Sequence, residues 1–213
     1  MKINAIQKCK YKTDLYTITI VNDDNEPIEL LLSMDIILAE QLNINTNISD
    51  EQFNKIKSKQ RLIDIKRLAY DYVSRRKRTI KQVKDKLKEN NYNEHEIAKA
   101  ISFLKEFNLL DDVAFAKSYI KDTLLTKKYG KNKLLLLLLK SGINKEIATE
   151  VIEEYYSKEY SENIIQQIAN KKYQQLIKKY NDPQKIKHSL FNHIISKGFS
   201  FEEAKTIIKE IDI

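Results

Sequence analysis

Four consecutive basic residues, "RRKR" at Arg75–Arg78, form the densest charge in the sequence. Guanidinium and ammonium groups donate charge-assisted hydrogen bonds to phosphate and carboxylate oxygens, and arginine can do so through two parallel N–H groups. Two lysine clusters follow along the chain: Lys127, Lys128, Lys131 and Lys133, then Lys178, Lys179, Lys185 and Lys187. Together the three clusters predict a discontinuous basic surface that binds a polyanion, either nucleic acid or an acidic protein surface.

Lysine near the end of a helix also has a purely structural explanation, because it offsets the negative end of the helix dipole. That explanation accounts for one lysine per cluster and poorly for four basic residues in a row. A lysine-rich solvated surface, as AT-rich genomes tend to encode, is a further alternative. The sequence leaves these alternatives open.

Residues that could support catalysis or metal binding are few and scattered. The chain has three histidines, His95, His188 and His193, and one cysteine, Cys9. His188 and His193 are five residues apart, about 140° around a helix, so they do not share a face as metal ligands would. The three glycines form no phosphate-binding loop. We therefore expect solvated surface histidines, a cysteine that packs in a strand, no metal or cofactor, and no enzymatic activity.

Composition predicts a folded, mainly helical protein. Of 213 residues, 42% are hydrophobic and 32% are charged, with only 3 Gly and 2 Pro to interrupt helices. A single cysteine excludes an internal disulfide, and no N-terminal signal segment is evident, so we expect a cytoplasmic protein. The net charge is +8, and the basic excess lies beyond residue 60, where 31 Lys and Arg face 21 Asp and Glu.

The N-terminal residues have a β pattern. Alternating β-branched residues at Leu15–Val21, the turn "NDDNE" and the apolar run Ile28–Leu32 predict a hairpin, and "KINAIQKC" before them is a candidate third strand. Ser33 begins a short predicted helix. From Ser49 onward the chain is predicted to be helical, because "SDEQ" has the pattern of a capping box.

The rest of the chain contains three similar segments. The stretches "NNYNEHEIAKAISFL", "SGINKEIATEVIEEY" and "KGFSFEEAKTIIKEI" align without gaps, at offsets of 51 and 56 residues. Each has Asn or Gly where a helix ends in left-handed backbone, then an N-cap residue, then apolar residues at helical spacing. The aligned positions include Asn91/Gly142/Gly198, Asn93/Asn144/Ser200, Val83/Leu134/Leu190 and Leu87/Leu138/Ile194.

This repetition predicts a mainly α architecture. Three tandem three-helix repeats form an elongated curved array, each burying its apolar face on its neighbours, after a small antiparallel β segment and a short helix. The predicted segments are residues 1–48 for the β segment with its helix, 49–110 for a helical linker and repeat 1, 111–157 for repeat 2, and 158–213 for repeat 3.

Six consecutive leucines, Leu134–Leu139, fall in the second helix of the middle repeat. A membrane span takes about 20 apolar residues, so this run is too short to be one. A helix that is apolar on every side is otherwise buried in protein. We therefore predict that the repeats on either side enclose this helix.

A set of motif residues spans the first two repeats. A serine and basic residues follow an apolar helix, a Leu-Asp-Asp segment leads into Phe-Ala and an aromatic residue, and a Lys/Gly turn precedes a Gly-Ile pair. In this sequence they are Ser74–Arg76, Leu110, Asp111, Asp112, Phe115, Ala116, Tyr119, Lys128–Gly130, Gly142 and Ile143. The pattern, within Ile63–Ile213, resembles the RecX family of bacterial proteins that regulate the RecA recombinase. Asn108, where the family commonly has glycine, and Tyr129, between Lys128 and Gly130, depart from it.

The resemblance implies a non-enzymatic protein that binds the RecA–DNA nucleoprotein filament and modulates its recombinase activity, with inhibition as the expected direction. Weaker, non-specific contact with single- or double-stranded DNA alone is expected through the basic clusters. No membrane or small-molecule substrate is implied. A general DNA-binding protein without a recombinase partner, and a helical protein–protein scaffold, are the alternatives.

Overall fold

The computed structural model describes residues 1–10 and 14–211, which are helical apart from one N-terminal sheet. The elements are β1 (Lys2–Lys8), β2 (Leu15–Val21), β3 (Pro27–Ser33), α1 (Met34–Ala39), α2 (Asp50–Ser74), α3 (Ile80–Glu89), α4 (Glu94–Glu106), α5 (Asp112–Thr126), α6 (Lys131–Lys140), α7 (Lys145–Tyr155), α8 (Lys158–Leu176), α9 (Pro183–Ser196) and α10 (Phe201–Glu210). The predicted mainly α fold with an antiparallel β segment is confirmed. Residues 212 and 213, the end of the predicted third repeat, lie outside the described residues.

The N-terminal sheet has the order β1-β2-β3 with both pairs antiparallel. Its buried face includes Ile3, Ile18 and Leu32, and α1 packs onto the same core. The polar spacer after α1 also takes part, since the Ile3 N–H donates to the Thr46 carbonyl at 3.0 Å and the Asn45 N–H donates to the Ile3 carbonyl at 2.8 Å. The spacer therefore covers the outer edge of β1, which would otherwise expose unpaired backbone groups.

The capping box predicted at Ser49 is present. The Gln52 N–H donates to the Ser49 hydroxyl at 3.2 Å, and the Ser49 N–H donates to the Gln52 side-chain oxygen at 3.1 Å. Ile48 and Phe53, on either side of this cap, are both buried in the core beneath the sheet. These contacts fix the start of α2, a helix of 25 residues.

The chain divides into two compact units, Met1–Tyr72 with Leu87–Leu104, and Val73–Lys86 with the residues from Lys105 onward. In the first unit, Arg61 joins α2 to the start of α4. Its guanidinium pairs with Glu96, donates to the Asn91 carbonyl at 2.7 Å and lies 4.7 Å from the centre of the Tyr92 ring.

The aligned positions of the repeats have equivalent environments. Val83, Leu134 and Leu190 are completely buried. Left-handed backbone occurs in the predicted column, with φ of 61° at Asn91, 89° at Gly142 and 92° at Gly198. The side chains of the residues that follow cap the next helices as expected; these caps are Asn93, Asn144 and Ser200. The helices α5–α7 and α8–α10 each enclose a core of their own.

Gly198 has a second constraint that its left-handed backbone does not explain. A Cβ at this position would lie 2.3 Å from the backbone nitrogen of Lys133, at the start of α6. The Asn132 N–H donates to the Gly198 carbonyl at 3.0 Å, and the Gly130 N–H donates to the Lys197 carbonyl at 2.9 Å. The turn between α9 and α10 therefore holds the beginning of α6 by direct backbone contact.

Gly142 has the same constraint toward α3. A Cβ at Gly142 would lie 2.3 Å from the Cβ of Lys81, and the Thr79 hydroxyl donates to the Ser141 carbonyl at 2.6 Å. In both places, the second helix of one repeat begins against the turn between the second and third helices of the next repeat. We call these contacts the glycine seats.

The leucine run is only partly buried. Leu134 and Leu138 are fully buried, whereas Leu136 is 57% exposed and Leu139 is 38% exposed. The prediction of an enclosed helix was therefore wrong for one side of α6. At about 100° per residue, Leu136 and Leu139 point away from the face that carries Leu134 and Leu138, and the α5–α7 core covers only that face. Among the described residues, no helix is both long enough and apolar enough to cross a membrane.

Leu138→Ala should lower the free energy of unfolding by about 2–5 kcal/mol, because it leaves a cavity in a packed core. Leu136→Ala is the matched control in the same helix. It should change the free energy by less than about 0.5 kcal/mol, since its side chain is mostly exposed. Urea denaturation of both variants measures the difference, and equal destabilisation would contradict the assigned core face.

Gly198→Ala should destabilise the protein more than Asn91→Ala at the equivalent position. Gly198→Ala introduces a Cβ into left-handed backbone, at a cost of about 1–2 kcal/mol, whereas Asn91 already has a Cβ there and its replacement adds less strain. Only the Gly198 variant must also push back the start of α6. Thermal unfolding should show a lower Tm for Gly198→Ala, and equal Tm values would mean that the seat is not a close contact in solution.

Candidate polyanion-binding surface

The first basic cluster lies in the connection between α2 and α3 rather than inside a helix. Because α2 ends at Ser74 and α3 begins at Ile80, the four basic residues follow the last helical turn. Arg75, Arg76 and Lys77 are exposed, and Arg78 is half-buried. Their charged groups are therefore presented on a connection whose ends are fixed by two helices.

Three of these residues share an open groove of about 490 Å³ with the aromatic residues of the family motif. The charged and aromatic residues of its lining are Arg76, Lys77, Arg78, Phe115, Tyr119 and Asp122. The Phe115 and Tyr119 rings are stacked, with centres 6.0 Å apart and planes 11° apart. Three cations and one carboxylate beside an aromatic surface suit contact with phosphate or carboxylate groups. We call this the arginine groove; Arg75 is not part of its lining.

Asp111 and Asp112 position the two walls of the arginine groove. Asp111 caps α5, where its Oδ1 accepts from the Val113 and Ala114 N–H groups at 2.8 and 3.0 Å. Asp112 instead accepts at 2.9 Å from the N–H of Ile80, the first residue of α3. The sequence offered either aspartate as the cap of the following helix, and the structure assigns one aspartate to each helix. The chain that leaves the basic cluster is thereby tied to α5, which carries Phe115 and Tyr119.

The remaining motif residues support the fold. Leu110, Ala116 and Ile143 are buried in the core. Gly130 is the N-cap residue of α6, and Gly142 forms a glycine seat. These five residues therefore contribute to packing and to helix ends, and they offer no charged or polar side chain to a partner.

The second cluster is divided among three places. Lys127 and Lys128 line a separate groove of about 370 Å³. Lys131 lies over the Tyr156 ring, 5.5 Å from its centre. The backbone and Cβ of Lys133 pack against the glycine seat at Gly198.

The Tyr156 ring beneath Lys131 belongs to a polar network between the second and third repeats. Its hydroxyl lies 3.2 Å from that of Ser161, which donates to Glu203 at 2.6 Å. Burial raises the pKa of Tyr156 to about 12. Burial opposes ionisation of Glu203, but hydrogen bonds from Ser161 and Ser200 outweigh it and keep its pKa below the ordinary value. Lys131 therefore has a structural environment that the sequence did not indicate.

The third cluster surrounds a different aromatic residue. The ammonium groups of Lys179 and Lys185 lie 5.2 and 5.1 Å from the centre of the Tyr180 ring. Lys187 lines another open groove, and Lys178 is exposed. The structure thus gathers the predicted basic residues into several local groups, each with its own surroundings.

Four residues outside the predicted basic clusters also line the groove at Lys127 and Lys128. They are Lys171, Lys172, His193 and Lys197. The expectation that His193 is a solvated surface residue was wrong, because it is half-buried, and burial, with Lys172 and Lys197 nearby, lowers its pKa. The pair Lys171–Lys172 is visible in the sequence, but only the fold places it beside a segment more than 40 residues away. Within residues 1–10 and 14–211, we find no cluster of side chains suited to holding a metal ion.

Asp112→Ala should lower the free energy of unfolding by about 1–3 kcal/mol, because it leaves the Ile80 N–H without its acceptor. Asp112→Asn retains a side-chain oxygen and is the matched control, expected within about 0.5 kcal/mol of wild type or more stable at neutral pH. Urea denaturation measures both. Equal loss in the two variants would show that the hydrogen bond is not what Asp112 contributes.

The stabilities of wild type and of Asp112→Asn should respond differently to pH. Burial raises the pKa of Asp112, and the hydrogen bond from Ile80 offsets this only in part. A raised folded-state pKa means that the folded protein binds the proton more tightly than the unfolded chain. The stability of wild type relative to Asp112→Asn should therefore rise as the pH falls from neutral toward the ordinary aspartate pKa of about 4. A difference that does not vary with pH would contradict this assignment.

Comparison with known proteins places these features in a family. A family model described as "RecX, first three-helix domain" matches residues 66–104. The regulatory protein RecX of Clostridium botulinum (strain Alaska E43 / Type E3) is 32% identical over 186 residues, which cover 87% of this chain and 86% of the relative. That of Clostridium beijerinckii is 33% identical over 180 residues, covering 84% and 83%.

Solved structures have the same fold. A crystal structure of regulatory protein RecX superposes with a TM-score of 0.74 at 20% identity, covering 98% of both chains. The crystal structure of RecX from Lactobacillus salivarius gives a TM-score of 0.63 at 26% identity, covering 71% of this chain and 97% of the other. With relatives above 30% identity along most of its length, the chain belongs to the RecX family of regulatory proteins.

Proposed function

We propose that this protein is a non-enzymatic, cytoplasmic regulator that binds the RecA–DNA nucleoprotein filament and lowers its recombinase activity. The arginine groove and the basic groups around it are the proposed contact surface. The observation that carries the proposal is the placement of Arg76, Lys77 and Arg78 beside the stacked rings of Phe115 and Tyr119.

The chemistry of the arginine groove supports a filament made of protein and DNA. Arginine pairs with carboxylate and phosphate groups through two parallel hydrogen bonds, and both groups occur on such a filament. Aromatic side chains beside basic residues are typical of macromolecular contact surfaces. Asp112 on α5 accepts from the N–H of Ile80 and so ties the two walls of the groove together before a partner binds, which lowers the entropic cost of association.

General DNA binding without a recombinase is the competing function. Sedimentation with the cognate RecA, with and without DNA and a non-hydrolysable nucleotide, separates the two. Affinity that requires the assembled filament supports the proposal, whereas equal affinity for bare DNA and for the filament would favour the competing function.

Arg75→Glu with Arg76→Glu should weaken filament binding by about tenfold or more, because each lost charge-assisted contact contributes roughly 1.5–3 kcal/mol. The affinity that remains should also depend less steeply on salt, since fewer counterions are released. Filament affinity across a salt titration is the measurement. Arg76 lines the groove and Arg75 does not, so the single Arg76 variant should account for most of the loss.

The matched control is Lys84→Glu with Lys145→Glu. It makes the same change in net charge at two exposed positions outside both grooves. Circular dichroism of all variants checks that the helical fold is retained. If the control weakens filament binding as much as the arginine variant, only net charge matters and the assigned surface is wrong.

A further inference from the structure

The groove at Lys127 and Lys128 has an unusual lining. It contains Lys127, Lys128, Lys171, Lys172 and Lys197, together with His193, and no aspartate or glutamate. None of these five lysines forms an ion pair within the described part of the chain. Like charges held close together repel one another, so a bound anion would relieve this repulsion. We call it the lysine groove.

One backbone hydrogen bond and two side-chain contacts join the walls of the lysine groove. The connection after α5 donates from the Gly130 N–H to the carbonyl of Lys197, at 2.9 Å. The Lys197 ammonium lies 5.7 Å from the centre of the Tyr129 ring, and Lys128 donates to the Gln167 side-chain oxygen at 2.7 Å. The cations therefore come from three elements, the α5–α6 connection, α8 and the end of α9, that are fixed relative to one another.

We propose that the lysine groove binds the phosphodiester backbone of DNA, and that His193 takes up a proton as the anion binds. The inference rests on the proposed function only in taking DNA as the polyanion. It differs in its residues, since the arginine groove is formed by other parts of the chain.

Lysine suits a phosphate backbone that is bound without regard to sequence, because it pairs with phosphate as a point charge. Its ammonium is a compact charge with three donors on a flexible stem, so it follows a chain of phosphates without requiring one planar geometry. Phosphate contacts of this kind set position and affinity but carry no sequence information. The arginine groove, with its aromatic rings and its carboxylate, lacks this uniform character.

The groove that contains His193 has cations on each of its elements. Lys171 and Lys172 line it from α8, Lys197 from the end of α9, and Lys127 and Lys128 from the α5–α6 connection; Lys172 and Lys197 act on His193 directly. Burial and the nearby lysines lower its pKa, so the free protein carries a neutral imidazole at neutral pH. A bound phosphate offsets the field of the lysines, raises this pKa and favours proton uptake. Affinity for DNA should therefore increase as the pH falls.

Lys127→Glu with Lys171→Glu is the direct test, because both side chains are exposed and their replacement leaves the core intact. Binding of a fluorescent single-stranded oligonucleotide, without RecA, should weaken by about tenfold or more relative to wild type. The negative slope of log affinity against log salt should become shallower by about 1.4, or by about 1.8 with the duplex of the same sequence. The Lys84→Glu, Lys145→Glu control should retain most of the wild-type affinity and slope.

The outcomes of this test separate a DNA site from a net-charge effect and from a site for acidic polypeptide. If the groove variant and the control lose affinity equally, the lysine groove is not a DNA site. If poly-glutamate binds wild type as tightly as the oligonucleotide and depends on the same lysines, the groove takes acidic polypeptide and the choice of DNA is wrong. Wild type that binds the filament but no bare DNA would overturn this inference and leave the proposed function standing. If wild type does not bind the filament, but binds the oligonucleotide and loses that binding in the groove variant, this inference stands and the proposed function is wrong.

A separate variant, His193→Gln, tests the proton uptake. Between about pH 8 and about pH 6, wild-type affinity for the oligonucleotide should gain at least about threefold more than that of His193→Gln, with about tenfold per pH unit as the limit for one proton. The variant keeps the lysines and the exposed His95 and His188, so it isolates His193. Identical pH profiles for the two proteins would overturn the assigned proton uptake.

Discussion

The close approach of backbone at Gly142 and Gly198 is the constraint on which much of the second compact unit depends. A glycine in left-handed conformation ends one helix, and its missing side chain admits the start of a helix from the preceding repeat. Close packing tolerates little displacement at such a point. These two contacts set how closely α3 approaches the α6–α7 turn and how closely α6 approaches the α9–α10 turn.

Both grooves lie beside the seats. At Gly142, the seat holds the beginning of α3 through Thr79, and Asp112 caps the same helix from α5, so the basic connection and the aromatic residues come together. At Gly198, the seat brings the α5–α6 connection against the end of α9, and lysines from three elements surround one groove. The positions of the two basic grooves therefore depend on the contacts between successive repeats.

The exposed leucines show the limit of reasoning from one helix at a time. A run of six apolar residues predicts burial, but only one face of α6 fills the core between α5 and α7. Leu134 and Leu138 fill the core, whereas Leu136 faces solvent. His193 shows the opposite case, because a residue that looks polar and isolated in sequence is drawn into a half-buried basic groove by the fold.

The sequence by itself determined the helices, their caps, the left-handed positions and the β segment. Each depends on local backbone preference and on apolar spacing, as at Asn93, Ser200 and Gly142, which a stretch of about ten residues already contains. It also supplied every charge. Only the tertiary structure decided which charges meet, because Lys128 and Lys171 are brought together by packing between repeats. Contacts between residues far apart in the chain depend on the whole fold, and no local pattern encodes them.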